Sequence, residues 1–108
     1  MTLREYLSIP FILSAESVIR KGDWVRIVSY PELPGCQVEG AATVLLIDEL
    51  DIKRTEYIFT TLRAGKTPPV PRPALPYMDV EGLLERLGLK HIIPFLDKVD
   101  AVLPTSVE

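Results

Sequence analysis

Cys36 and His91 are the chain's single cysteine and single histidine, and between them they bound its nucleophilic and metal chemistry. A reactive cysteine needs a base or a cation to hold it as thiolate. His91 stands far along the chain in a tail of different character, so Cys36 reads as a small apolar residue inside a core. The same two side chains are too few for zinc, which takes three or four protein ligands. Asp48, Glu49 and Asp51 crowd one helical stretch, but neighbouring helical residues diverge by about 100°, and solvated helix surface accounts for them. A metal-dependent nuclease needs carboxylates converging from strands. The candidates are Glu5, Glu16, Glu32 and Glu39, most of them near strand ends or in loops. Gly35 and Gly40 lack the spacing and context of a phosphate-binding loop. Lys53 is a point charge, and Arg54 beside it, on the sheet-facing side, is expected to snorkel or to pair with a strand acid. No catalytic residue, cofactor or metal is expected.

The elements that would position these residues follow from patterning. Trp24-Val25-Arg26-Ile27-Val28-Ser29-Tyr30 alternates as a strand does, with Trp24, Arg26, Val28 and Tyr30 on one face. Pro31 and Pro34 then fix φ and remove donors, and Gly35 permits φ > 0, so the chain stops and turns. Cys36-Gln37-Val38-Glu39 can resume a short strand before Gly40. Upstream, residues 3 to 13 read as a first strand with Pro10 at an edge or irregularity, Val18 and Ile19 able to extend it. Arg20-Lys21-Gly22-Asp23 carries turn chemistry that reverses the chain into the Trp24 strand.

Residues 41 to 64 form one long helix, free of Gly and Pro, with Gly65 at the C-terminal cap position and Glu49 to Lys53 as an i,i+4 pair. Leu46, Ile47, Leu50, Tyr57, Ile58 and Leu62 lie on the face that should cover the sheet. Leu45, Ile52 and Phe59 recur at heptad spacing on the opposite side and need cover from the tail or from a second copy of the chain. The segment Thr67-Pro68-Pro69-Val70-Pro71-Arg72-Pro73-Ala74-Leu75-Pro76 is an extended strap. In the tail, Asp79 caps a short helix at about residues 80 to 87, Gly88 stops it, and a second apolar piece follows from 89 to 102 with Pro94 inside.

At 108 residues, nearly half of them apolar, the chain can bury one modest core. Its net charge of -3 does not suit a protein that binds by neutralising phosphates. One cysteine gives no intrachain disulfide, and no apolar run is long enough to cross a bilayer. Residues 6 to 15 loosely imitate a signal peptide, but Glu5 and Pro10 spoil the pattern, so a cytoplasmic setting is expected.

Tyr30-Pro31-Glu32-Leu33-Pro34-Gly35-Cys36 resembles the strand-end motif of the HicB-like antitoxin family. Gly40 falls where that family's glycine precedes its helix, and Gly65 with Pro68, Pro69 and Pro71 is similar to its closing pattern. The likeness covers about residues 4 to 76. It implies an α+β domain at 1–76, a small antiparallel sheet of about three strands on one long helix in a partial ribonuclease-H-like arrangement; residues 77–108 lie beyond the likeness and read as a helical extension packing on the domain or on a partner subunit. It also implies a non-catalytic protein that forms dimers or tetramers and neutralises a small messenger-RNA-cleaving toxin by binding it. Two features depart from the family. The helix opens Ala41-Ala42-Thr43-Val44-Leu45-Leu46 in place of an acidic start, which leaves a stand-alone oligomer as the alternative. The tail's Leu83 to Leu89 imitates the start of a helix-turn-helix, but Pro94 and Asp97 fall where a recognition helix needs apolar residues, so DNA binding is not expected.

Overall fold

Thr2 opens the first element. Its hydroxyl accepts from the Glu5 amide while Glu5 accepts from the Thr2 amide, a complete capping box that starts helix α1, Leu3–Leu7. The computed structural model, which describes residues 1–99, therefore corrects the reading of 3 to 13 as a strand. Leu3, Tyr6 and Leu7 fall on one side of this short helix and are buried. The first strand lies further on, as β1, Ser14–Arg20.

Strands β1, β2 (Asp23–Ser29) and β3 (Gln37–Gly40) form one antiparallel sheet in the order β1-β2-β3. β1 and β2 pair without interruption from Ser14 with Ser29 to Arg20 with Asp23. The loop between them is Lys21-Gly22, with φ of 52° and 83°, the two positive values that a type I′ turn requires. β2 and β3 pair from Arg26 with Gly40 to Ser29 with Gln37.

Helix α2, Thr43–Arg63, lies over β2 and β3. Its last turn ends in a Schellman motif: Lys66 N–H donates to the Thr61 carbonyl and Gly65 N–H to that of Leu62. Along its length α2 serves two cores. Leu46 and Leu50 pack with Val28, Tyr30, Leu33, Cys36 and Val38 of the sheet and the loop after it. Ile58, Phe59 and Leu62 pack instead with α1 and with the tail, where helix α3 (Val80–Arg86) and a 3-10 helix (Lys90–Phe95) bring in Val80, Leu84, Leu89 and Ile92. Phe11 and Tyr57 touch both clusters.

The stripe opposite the sheet is thus covered in part from within the chain. Phe59 is buried against the tail, with its ring 5.5 Å from that of Phe95, and Ile52 is partly buried there; Leu45 stays exposed. Phe59 is accordingly not open to a second copy. Asp79 caps α3 by accepting from Gly82 N–H, as its position suggested. Pro94 is tolerated because the segment around it is a 3-10 turn of six residues, not an α-helix. No described helix is long and apolar enough to cross a membrane. The part of the expected apolar piece beyond residue 99 lies outside the described residues.

Candidate functional site

The motif loop after β2 is built from two consecutive turns, each with proline at its second position. Leu33 N–H donates to the Tyr30 carbonyl across Pro31-Glu32, and Cys36 N–H donates to the Leu33 carbonyl across Pro34-Gly35. Gly35 has φ 75°, which makes the second turn type II and explains glycine there. Tyr30 N–H to the Cys36 carbonyl, 3.0 Å, closes the loop. Leu33 and Cys36 point into the sheet-side core, and Gly40 sits at the entry to α2 against Leu46.

Glu32, at the loop's crest, connects it to distant parts of the chain. Its carboxylate takes a bidentate pair of bonds from Arg72 of the proline strap, at 2.8 and 2.9 Å, and accepts from the Ile12 amide. The Arg72 bonds, then the Ile12 bond, hold the Glu32 pKa below its ordinary range. Arg72 also donates to the Pro10 carbonyl, and Leu75 N–H donates to that of Ser8, so the strap is stitched to the segment after α1.

Beneath the loop lies a buried polar cluster that sequence patterning missed. Tyr30 donates its hydroxyl to Asp51 at 2.5 Å. Arg54 stands 3.7 Å from Asp51 and stacks over the Tyr30 ring, 5.4 Å from its centroid. Asp51 is therefore buried, unlike the solvated carboxylate expected, and Arg54 pairs with an acid of its own helix and not with one from a strand. Burial first, and the bond to Asp51 second, push the Tyr30 phenol up to about 12. Arg54 Nε is buried without a hydrogen-bond partner, a cost that stacking on Tyr30 offsets in part. The available signal was an acid and an arginine at i,i+3 beside sheet-facing leucines.

The remaining chemical candidates are dispersed. Cys36 is buried, and that burial raises its pKa against the opposing charges of Lys53 and Arg54, which disfavours the thiolate. His91 is exposed on the tail's 3-10 helix. Glu5 serves the α1 cap, Glu39 pairs with Arg20, and Asp48 pairs with Arg86 of α3. Lys53 reaches the Gln37 carbonyl in place of Glu49. Among the described residues no three His, Cys, Asp or Glu side chains gather as a metal site would require. A shallow cleft of about 340 Å³ runs between the loop at Pro34-Gly35 and the α2 residues Lys53, Glu56 and Thr60.

The largest unsatisfied feature is a surface. Every residue of β1 except Val18 is exposed, as are Asp23, Trp24 and Arg26 of β2. Trp24 is 68% and Ile19 61% exposed, and they are cross-strand neighbours on the helix-side face. Val44 and Leu45, in the first turn of α2, are also exposed. Because β1 lies beyond the helix, the exposed apolar side chains of this hairpin have nothing among the described residues to bury them. No family model matches the chain, and no curated protein or solved structure shows significant similarity to it.

Proposed function

We propose that this chain is a non-catalytic binding protein of the HicB antitoxin kind, a homo-oligomer that neutralises a small messenger-RNA-cleaving toxin by direct binding in the cytoplasm. The observation that carries the reading is the uncovered β1–β2 hairpin, whose Trp24 and Ile19 a protein partner would desolvate. The double proline turn from Tyr30 to Cys36 supports the likeness to that family, because each motif residue has a structural task there. Co-expression with a small basic ribonuclease encoded beside the chain tests it. A stoichiometric complex and relief of the growth arrest caused by the ribonuclease alone are expected. A ribonuclease that stays free and toxic in the presence of folded chain overturns the reading.

A second reading, a stand-alone oligomer with no toxin, is favoured by one specific observation: Val44 and Leu45 expose apolar surface at the helix start where the family carries acids. In that case self-association survives in cells that encode no such ribonuclease.

A further inference from the structure

We infer that two copies of this chain join through their β1 edges, in antiparallel register about Val18, into one continuous six-stranded sheet. The inference deepens the homo-oligomeric part of the proposed function and does not depend on the toxin.

β1 is an edge strand with the properties that natural edges usually avoid. It runs seven residues without proline or bulge, and its pairing with β2 is unbroken. A two-residue hairpin loop is closed by a hydrogen-bonded pair, here Arg20 with Asp23, and the pattern alternates along the strand. Ser17 and Ile19 therefore turn their N–H and C=O groups outward, to the side where no strand lies. Helix α2 covers β2 and β3, and among the described residues no helix packs over β1 to obstruct a neighbour.

Charge selects the occupant and the register. With Val18 opposite the Val18 of the second copy, Ser17 and Ile19 exchange hydrogen bonds across the junction, and Glu16 of each copy stands directly opposite Arg20 of the other. Arg20 donates to Glu39 through Nη1 alone and is more than half exposed, which leaves Nε and Nη2 to meet a second carboxylate. On the helix-side face, Ile19 of one copy lands beside Ser17 of the other, in a groove of about 380 Å³ lined by Ser17, Trp24 and Arg26. The exposed isoleucine of each copy thus enters the hollow of its mate.

Light scattering and oxidative cross-linking of the full chain test the junction. The unaltered chain is expected to be a dimer. Glu16→Arg and Arg20→Glu each place like charges opposite one another at both ends and weaken self-association by about tenfold or more. Mixed together, the two variants restore opposite pairs and form a heterodimer, an outcome that misfolding of either cannot imitate. Val18→Cys should give an interchain disulfide on mild oxidation, with Cys36 protected by burial. A dimer that ignores both charge variants and leaves Val18→Cys uncross-linked overturns the β1 junction while self-association itself stands. A chain that is monomeric at every concentration overturns both. An edge taken only by a partner protein, with no self-pairing, also overturns the inference.

Discussion

Leu84 and Trp24 are both large apolar side chains, and the two ends of the molecule treat them in opposite ways. Leu84 is fully buried where α1, α3, the 3-10 helix and the end of α2 converge. That end is also clamped by charge: Arg4 makes bidentate bonds of 2.7 Å to Glu81 and further bonds to Asp97, so α1 is tied to both parts of the tail. Trp24 stands on a hairpin held by its own ladder, beyond the reach of α2. The difference teaches that the tail completes the fold, whereas Trp24 and Ile19 of the hairpin stay uncovered among the described residues.

The contrast can be broken most decisively at Leu84. Leu84→Ala should cost about 2–5 kcal/mol in a chemical denaturation series, because it empties a site enclosed on every side. A loss under about 1 kcal/mol would mean that the tail is a loose attachment and the comparison fails. Tyr30→Phe comes next. It leaves buried Asp51 without its hydroxyl donor and should cost about 1–3 kcal/mol, with the hairpin's amide exchange unchanged.

Acid should separate the two ends more gently. Hydrogen bonds from Arg4 pull Glu81 down to about 2 from its ordinary 4.5 and lower Asp97 as well, as Arg72 lowers Glu32. A carboxylate depressed in the folded state stabilises fully above its unfolded pKa, and that contribution disappears as pH falls through the folded value. Amide protection in α1 and the strap should therefore decline between about pH 4.5 and 2, while the β1–β2 ladder holds. Equal loss at both ends would show that the clamp is not what secures the tail. The smallest effect is expected from Trp24→Ala, below about 0.5 kcal/mol for the dilute monomer. A larger loss would show that the hairpin has cover of its own.

Much of this architecture was legible in local patterning. The alternation from Trp24, the prolines after Tyr30 and the glycine-flanked helix announced β2, the motif loop and α2, since each rests on near neighbours in sequence. The misreading of residues 3 to 13 has a local cause too. Leu3, Tyr6 and Leu7 are too few to establish a period, and the Thr2 to Glu5 capping box is a two-residue signal ahead of an apolar run that reaches Leu13. The Arg4 and Arg72 clamps were out of reach for another reason. Their partners lie 40 to 93 residues away, and nothing local distinguishes a clamping arginine from a solvated one. Asp51 sank into the core because Tyr30 offers it a donor, which the carboxylate count of the helix does not disclose.

The ties between α1 and the tail bear on how the chain folds. Leu3 N–H donates to the Lys98 carbonyl, Arg4 N–H donates to that of Leu96, and Thr2 bridges to Val99. A five-residue helix has almost no stability by itself, and the groups that hold this one are made after the sheet and α2. Such distant contacts carry the largest loop-closure entropy among the described residues. On the ribosome the sheet and α2 can assemble first, with α1 unanchored and Ile58, Phe59 and Leu62 exposed until the tail emerges. In that interval the nascent chain is most vulnerable to aggregation and to proteases, and the tail ends it.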